Sequence, residues 1–367
     1  MLYNLINAQK ESKLRKVILF PLCLLSFFYG LASSMRVFLY SRRIFKTHSL
    51  PCKVVSVGNI TMGGTGKTPF VCLLAETIKA RGYRAAILSR GYKGNFPGPV
   101  GVVSDGNKIL MDPQQAGDEP FLLAEKVKDI PVVVGRERWL SGQFALKQFR
   151  SEVIILDDGY QYLSLKRDLN LLLIDSSSPF GNGHLFPRGV LRESLGQVLR
   201  ADGVILTKTG QSDNIINLKM KLEKAIEGRP IFQVDYGPVG IAVYGTEFFF
   251  PPEHLKGKKV LAFSGVARPE SFLKTLAALN PSIADVLTFP DHHWYGPEDG
   301  EKLYNKAVAM GVEALVTTEK DLIRVKNLIP GNIPLWALAI RHVFPQDDQE
   351  RFFEFVFSRL GLKAREG

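Results

Sequence analysis

Residues 54–79 constrain the fold more tightly than any other stretch. Val54-Val55-Ser56-Val57 are mostly β-formers. Gly58-Asn59-Ile60-Thr61-Met62-Gly63-Gly64-Thr65-Gly66-Lys67-Thr68 follows as a glycine-rich turn, and from Pro69 an apolar-periodic run continues to Lys79. A buried strand, such a turn and a helix start, in that order, make a phosphate-binding loop. Glycines let the backbone turn tightly and aim its N–H groups at an anion. Lys67 sets a cation against the β- and γ-phosphates, and the Thr68 hydroxyl suits a Mg²⁺ ligand. Pro69 fits the first helical turn, where no N–H partner is needed. One position departs from the usual G-x-x-x-x-G-K-[ST] pattern: Thr61 stands where the first glycine belongs. The alternative is a strand–turn–helix joint that holds no nucleotide. Against it, Gly63, Gly64, Gly66, Lys67 and Thr68 sit together directly after a β-branched strand. The stretch Thr61 to Thr68 is therefore expected to bind ATP.

From Cys52 onward short apolar runs alternate with helical segments. Strands are expected at Ala85–Ser89, Pro131–Val134, Val153–Leu156, Leu169–Ile174 and Gly203–Leu206, with a hairpin over 100–111. Fully apolar strands separated by helices argue a mostly parallel sheet covered on both faces. Near Pro230–Pro252 the character changes, and Ile241–Tyr244 and Glu247–Phe250 look like strands of a linker. A second α/β unit then begins, with strands at Lys259–Phe263, Ala314–Thr317 and Leu335–Ala339 and a last helix over Gln349–Leu360. The expected architecture is α/β: a P-loop NTPase-like, mostly parallel sheet domain over 49–230 and a smaller C-terminal α/β lobe with its β linker over 231–367. An N-terminal membrane-associated helical segment occupies 1–48.

That segment rests on Val17–Met35, which carries no charge. Its about 19 residues approach the ~20 that span a bilayer as a helix. Lys10, Lys13, Arg15 and Lys16 precede it, and Arg36, Arg42, Arg43 and Lys46 follow it, which suits anionic headgroups and leaves orientation open. Pro21, Gly30 and several serines suit a helix half-sunk in the interface equally well. A buried core helix and a signal peptide cleaved near Gly30-Leu31-Ala32 are further readings, although export would part the phosphate loop from cytosolic ATP. A net charge of +11 favours an anionic partner, namely phosphate ligands, nucleic acid or an anionic membrane. The basic residues cluster around the apolar segment and no nucleic-acid motif is present, so no nucleic-acid partner is expected. Three widely spaced cysteines form neither a metal spacing nor a disulfide framework, which points to a reducing compartment.

Asp157-Asp158 closes an apolar strand, the place from which an acid holds Mg²⁺ beside a phosphate loop. Which of the two touches the ion is open at this stage. Asp118 and Glu119 precede a helix, and Asp118 reads by itself as a helix N-cap. His292 and His293 lie in an aromatic-rich loop, and Arg188 and Arg192 in another loop. Arginine forks recognise phosphates, although exposed ones are often only solvated.

Taken together, the motifs resemble the tetraacyldisaccharide 4′-kinase family of the lipid A pathway. The resemblance rests on the phosphate loop through Pro69, Ser89-Arg90-Gly91-Tyr92, Gly117-Asp118-Glu119-Pro120 and Leu156-Asp157-Asp158-Gly159-Tyr160-Gln161. It continues in Leu191-Arg192-Glu193, Phe263-Ser264-Gly265, Asp291-His292 and Thr318-Glu319-Lys320-Asp321. The family's loop also lacks the usual first glycine. The resemblance implies a kinase on the cytoplasmic face of the inner membrane. With ATP and Mg²⁺, it would phosphorylate the 4′-hydroxyl of tetraacyldisaccharide 1-phosphate to give lipid IVA. It implies Lys67 and Thr68 on phosphate and Mg²⁺, and Asp157, Asp158 and Glu119 in the metal neighbourhood. It also implies Asp118 as catalytic base with His292 as its partner, and Arg138 and Arg192 as phosphate-side contacts. The membrane surface is an expected partner, and no obligate protein partner is inferred. The rival is a membrane-associated regulatory P-loop ATPase that needs no lipid acceptor.

Overall fold

The computed structural model describes residues 13–211, 214–226, 228–244, 246, 248–291, 293–325, 327–330, 333–345, 348–363 and 365. The chain opens with helix α1 (Lys13–Ser41), then β1 (Lys53–Gly58), α2 (Lys67–Ala80), β2 (Ala85–Ser89), β3 (Gly101–Ser104), α3 (Pro113–Ala116) and α4 (Asp118–Lys126). It continues through β4 (Val132–Val134), α5 (Arg138–Phe149), β5 (Val153–Asp157), β6 (Leu169–Asp175), β7 (Gly203–Thr207), α6 (Ile215–Ala225), β8 (Ile231–Val243) and β9 (Phe249–Phe250). The last part holds β10 (Lys259–Ser264), α7 (Pro269–Ala277), β11 (Ser282–Thr288), α8 (Pro297–Met310), β12 (Ala314–Thr318), α9 (Glu319–Val325), β13 (Leu335–Val343) and α10 (Asp348–Leu360).

The strands lie in the order β11-β10-β12-β13-β8-β7-β6-β1-β5-β2-β4-β3, with β9 added to β8. From β2 and β4 through β5, β1, β6 and β7 every pairing is parallel. Each of these strands therefore ends on the same edge, where ligands of open α/β sheets bind. Both faces are covered, as the apolar runs require. Val55 and Val57 of β1 pack with Phe70, Leu74 and Ile78 of α2, while Val54 packs on the other face with Ala145 of α5. The stripe Phe70, Leu74, Ile78 has helical spacing, so burial rather than propensity holds α2 in place.

Strand β8 joins two regions of sheet. Its first half pairs parallel with β7 through Ile231–Val234, and its second half pairs antiparallel with β13 through Asp235–Val243. What the sequence suggests as separate linker strands is one long strand plus the short β9. The hairpin expected over 100–111 also differs: only β3 is a strand, and it pairs antiparallel with β4, with a single bridge from Ser104 to Ile109. Strand β11 has no counterpart in the sequence reading; it is a half-buried edge strand with a shift in register beside β10. Helix α10 returns to the first sheet, where Phe352, Phe353, Val356, Phe357 and Leu360 pack into the same core as Phe70 and Phe232.

Helix α1 inverts the usual amphipathic arrangement. Ser26, Tyr29, Ser33 and Arg36 recur at helical spacing on one side, and Tyr29, Ser33 and Arg36 face the main cavity. The Ser26 hydroxyl donates to the Leu185 carbonyl at 2.9 Å and accepts from the Arg188 N–H at 2.9 Å. The Tyr29 hydroxyl donates to the Arg192 carbonyl at 2.9 Å, and Arg36 lies 3.7 Å from the Glu193 carboxylate. Its apolar side chains face outward, with Phe20 66% and Phe27 65% exposed. This exposure rules out the core-helix alternative.

Candidate active site

The phosphate loop is shaped by what holds its carbonyl groups. Gly66 takes the left-handed conformation (φ 86°) that glycine adopts without cost, and α2 starts at the next residue. The Gly64 carbonyl accepts from Lys208 Nζ at 3.0 Å, the Thr65 carbonyl from the Thr207 hydroxyl at 3.1 Å, and the Gly66 carbonyl pairs with His342 Nε2 at 2.9 Å. Burial pushes His342 down to about 4, so its ring is neutral at ordinary pH and the carbonyl partner places the proton on Nε2. With three successive acceptors tied to side chains, the loop is left to offer donors to a ligand. Asn59 Nδ2 donates to Thr65 Oγ1 at 2.9 Å and braces the turn. Thr61 serves the stem instead: it bridges to Leu191, and the neighbouring Met62 N–H donates to Val190 at 2.7 Å.

Five titratable groups, Lys67, Arg192, Asp157, Asp158 and Glu119, meet beside the loop. Lys67 Nζ lies 3.4 Å from Asp158, and Arg192 donates to both oxygens of Asp158 at 3.0 and 2.7 Å. Burial alone would raise Asp158, but Lys67 and Arg192 outweigh it and hold the carboxyl below its ordinary range. Asp157 moves the other way. Burial first, then the nearby Glu119 and Asp158 carboxylates, push it from 3.8 up to about 7, although the Ser89 hydroxyl donates to it at 2.9 Å. Glu119 itself is held low, since Lys320 and Lys67 overcome the effect of its burial. Three carboxylates crowded this way fit a divalent cation, which would relieve their repulsion. Among the described residues no group of three or more His, Cys, Asp or Glu forms a self-sufficient metal cage. Mg²⁺ does not ask for one, because it is usually held by one or two carboxylates together with substrate phosphates.

The raised Asp157 has a measurable consequence. Between 3.8 and about 7 the native chain keeps a proton that the unfolded chain has released, so stability falls as pH rises through that window. Without metal or nucleotide at about pH 8, Asp157→Asn is expected to raise the melting temperature, by about 1–2 °C per kcal/mol relieved. A lower melting temperature for the variant would contradict this placement of the carboxylates.

Asp118 is positioned differently from a helix cap. The cap of α4 is Gly117, and the Asp118 carboxylate, 3% exposed as a residue, pairs with Arg324 of α9. Lys320 Nζ lies 3.5 Å from Asp118 and donates to Glu119 at 2.9 Å. Arg324 is anchored in turn by Asp321 at 3.4 Å, and Asp321 accepts from the Gly265 N–H, the Thr318 hydroxyl and the Tyr295 hydroxyl. His292, the expected partner of Asp118, lies outside the described residues. His293 is 2.8 Å from Asp299 and stacks on Phe289.

A cleft of about 1290 Å³ runs along this edge of the sheet. Met62, Gly63, Gly64, Thr65, Gly66, Lys67 and Thr68 line it together with Glu119, Arg138, Asp157, Asp158 and Arg192, whereas Thr61 and Asp118 are buried and do not line it. Sequence reading missed Lys208, Arg268, Lys320, Arg324 and His342. Thr207-Lys208 directly after an apolar strand was a usable signal for the first, and Lys320 lies inside a quoted motif; Arg268, Arg324 and His342 carried none.

The family model for tetraacyldisaccharide-1-P 4′-kinase matches residues 18–360. A tetraacyldisaccharide 4′-kinase of Desulfatibacillum aliphaticivorans is 43% identical over 347 residues, covering 92% of each chain. One from Syntrophus aciditrophicus is 40% identical over 335 residues, covering 89% of each. Among solved structures, LpxK from Aquifex aeolicus in complex with ATP superposes with a TM-score of 0.73 at 31% identity, covering 94% of this chain and 99% of that one.

Proposed function

The chain belongs to the tetraacyldisaccharide-1-P 4′-kinase family, and on that footing we propose how its residues divide the work of the reaction. The activity is the ATP-dependent phosphorylation of the 4′-hydroxyl of tetraacyldisaccharide 1-phosphate, which forms lipid IVA in lipid A biosynthesis. The regulatory ATPase reading is not favoured, since the match to lipid kinases spans nearly the whole chain.

In the proposed arrangement the backbone of residues 62–68 cradles the ATP phosphates and Lys67 neutralises the γ-phosphate. Arg138 and Arg192 supply further charge on that side. The Thr68 hydroxyl, Asp157 and Glu119 would hold Mg²⁺, with Asp158 kept ionised and oriented by Lys67 and Arg192. Bound there, Mg²⁺ would neutralise charge building on the phosphate oxygens. Asp118 takes the proton of the 4′-hydroxyl as its oxygen bonds to the γ-phosphorus and the bond to the β–γ bridging oxygen breaks, releasing ADP. His292 is proposed as the partner that meets Asp118 when the cleft closes over substrate. Convergence of Lys67, Asp157, Asp158 and Glu119 on one cavity beside the loop carries this reading. Its test is the fate of labelled γ-phosphate in detergent micelles. Label is expected in the lipid only with Mg²⁺ and acceptor present, and equal release of inorganic phosphate with or without acceptor would overturn it.

The outward apolar face of α1 supports docking on a membrane, where the acyl chains of the substrate stay, and its use of ATP places the proposed docking on the cytoplasmic face of the inner membrane. The chain then divides into residues 1–48, 49–230 and 231–367, with β8 shared between the last two units and α10 returning to the middle one. Each large apolar side chain buried contributes ~1.5–3 kcal/mol. Replacing Phe20, Phe27 and Leu31 together by serine should therefore lower vesicle partitioning by roughly 100-fold or more and leave ATP affinity unchanged. Equal loss of both in a flotation and a nucleotide-titration assay would tie this face of α1 to the integrity of the nucleotide site and overturn its role in docking.

A further inference from the structure

The outward side of α1 is apolar, but its inward side grips one particular segment of the kinase domain. Ser26 bridges the Leu185 carbonyl and the Arg188 N–H, each at 2.9 Å. Tyr29 sets its ring edge-on to Phe186, with centroids 5.8 Å apart, and its hydroxyl donates to the Arg192 carbonyl at 2.9 Å. Gly30 lets the helix come this close, since a Cβ there would stand 2.7 Å from Leu185 Cδ1. Positions 26, 29 and 30 share one helical face, so these contacts act together on residues 185–192.

The gripped segment lies along the stem of the phosphate loop. Leu191 stands antiparallel opposite Thr61, the Met62 N–H donates to the Val190 carbonyl at 2.7 Å, and the Arg192 N–H donates to the Ile60 carbonyl at 2.8 Å. Its start folds back on its end: the Phe186 N–H donates to the Leu191 carbonyl at 2.9 Å, so whatever holds Leu185 and Phe186 also holds the residue before Arg192. Arg192 is thus fixed at both ends of its backbone. The phosphate-loop stem takes its N–H, and α1 takes its carbonyl. From there its guanidinium reaches both oxygens of Asp158. The next residue, buried Glu193, accepts from Arg200 and lies 3.7 Å from Arg36 of α1, which continues the same line of contact. Charges serve phosphoryl transfer only where they are held, and a misplacement of about 1 Å can cost about 10²-fold in rate.

We propose that Tyr29 and Ser26 are positioning residues for phosphoryl transfer: they fix the backbone of residues 185–192 and, through Arg192, the place of its guanidinium beside Asp158 and the γ-phosphate. The two sides of α1 then have separate tasks, the outward one in partitioning to the bilayer and the inward one in the rate of transfer. This rests on Arg192 serving the phosphate side of the 4′-kinase reaction.

The test is a double-mutant cycle on the full chain in neutral-detergent micelles, with ATP, Mg²⁺ and tetraacyldisaccharide 1-phosphate. Tyr29→Phe keeps the ring and removes only the hydroxyl. It should lower kcat about three- to tenfold, the effect of one lost hydrogen bond, and Ser26→Ala/Tyr29→Phe should lower it about tenfold or more. KM for the acceptor and vesicle partitioning should stay within about twofold of wild type. Arg192→Gln by itself should cost about 10²-fold in kcat. In that background Tyr29→Phe should change kcat by less than about twofold, because its effect runs through the side chain already removed. Losses that multiply in the double variant would overturn the positioning role and leave Arg192 in its own. A higher KM for the acceptor with kcat unchanged would make Tyr29 an acceptor contact and overturn it as well. Wild-type kcat in Arg192→Gln would take Arg192 off the phosphate side, and the positioning role with it.

Discussion

Lys67→Met is expected to lower kcat for phosphoryl transfer about 10²–10³-fold, the cost of removing one preorganised charge from a developing negative centre. Phosphoryl transfer asks the protein mainly for positioning and charge neutralisation, so little else in the site compensates. Affinity for ATP should fall less, because the backbone donors of residues 62–68 stay in place while the carbonyls behind them remain tied to Lys208, Thr207 and His342. Lys67 also opposes the upward push on Asp157 and holds Asp158 and Glu119 down. Its loss therefore leaves three carboxylates with less counter-charge, so the variant should not need more Mg²⁺ for half-maximal rate, and added Mg²⁺ should not restore kcat. Steady-state kcat against Mg²⁺, with ATP binding titrated separately, checks both parts. A kcat within about tenfold of wild type would remove Lys67 from the transferred phosphate.

Asp118→Asn should cost about 10²–10⁴-fold in kcat, the range of a general base. Structure and chemistry are entangled at this residue, because Asp118 pairs with the buried Arg324. Taking the carboxylate from a buried pair can cost about 3–5 kcal/mol of stability through the charge left behind. The double variant Asp118→Asn/Arg324→Gln separates the two effects, since removing the guanidinium as well should recover stability without recovering turnover. Thermal unfolding and single-turnover rates on the same samples give the answer. Activity recovered along with stability would make Asp118 a tie between α4 and α9.

Features local in sequence were legible from it. The strand, turn and helix of residues 54–79 form one contiguous unit, and the acids closing β5 follow from an apolar run that must be buried on both faces. Partners remote in sequence were not. Arg324 reaches Asp118 across 206 positions and His342 reaches Gly66 across 276, and no spacing rule connects such residues. The two-sided role of β8 was hidden for the same reason: whether a strand pairs parallel or antiparallel is decided by its neighbours, and β8 has different ones along its two halves. For α1, length and apolarity favour a membrane helix but are shared by core helices, and the exposure of Phe20 and Phe27 separates the two. The strand β11 escaped notice because Ser282-Ile283-Ala284-Asp285 breaks the apolar alternation at a sheet edge.

The most direct measurement is transfer of labelled γ-phosphate from ATP to tetraacyldisaccharide 1-phosphate in a single turnover, comparing wild type with Asp118→Ala while ATP binding is followed in parallel. Label should enter the lipid with wild type. The variant should bind ATP within about threefold of wild type yet fall at least about 10²-fold in transfer. Transfer by the variant within about tenfold of wild type, or label released to water by wild type with none in the lipid, would contradict the assignment of Asp118 as the base in a lipid 4′-kinase site.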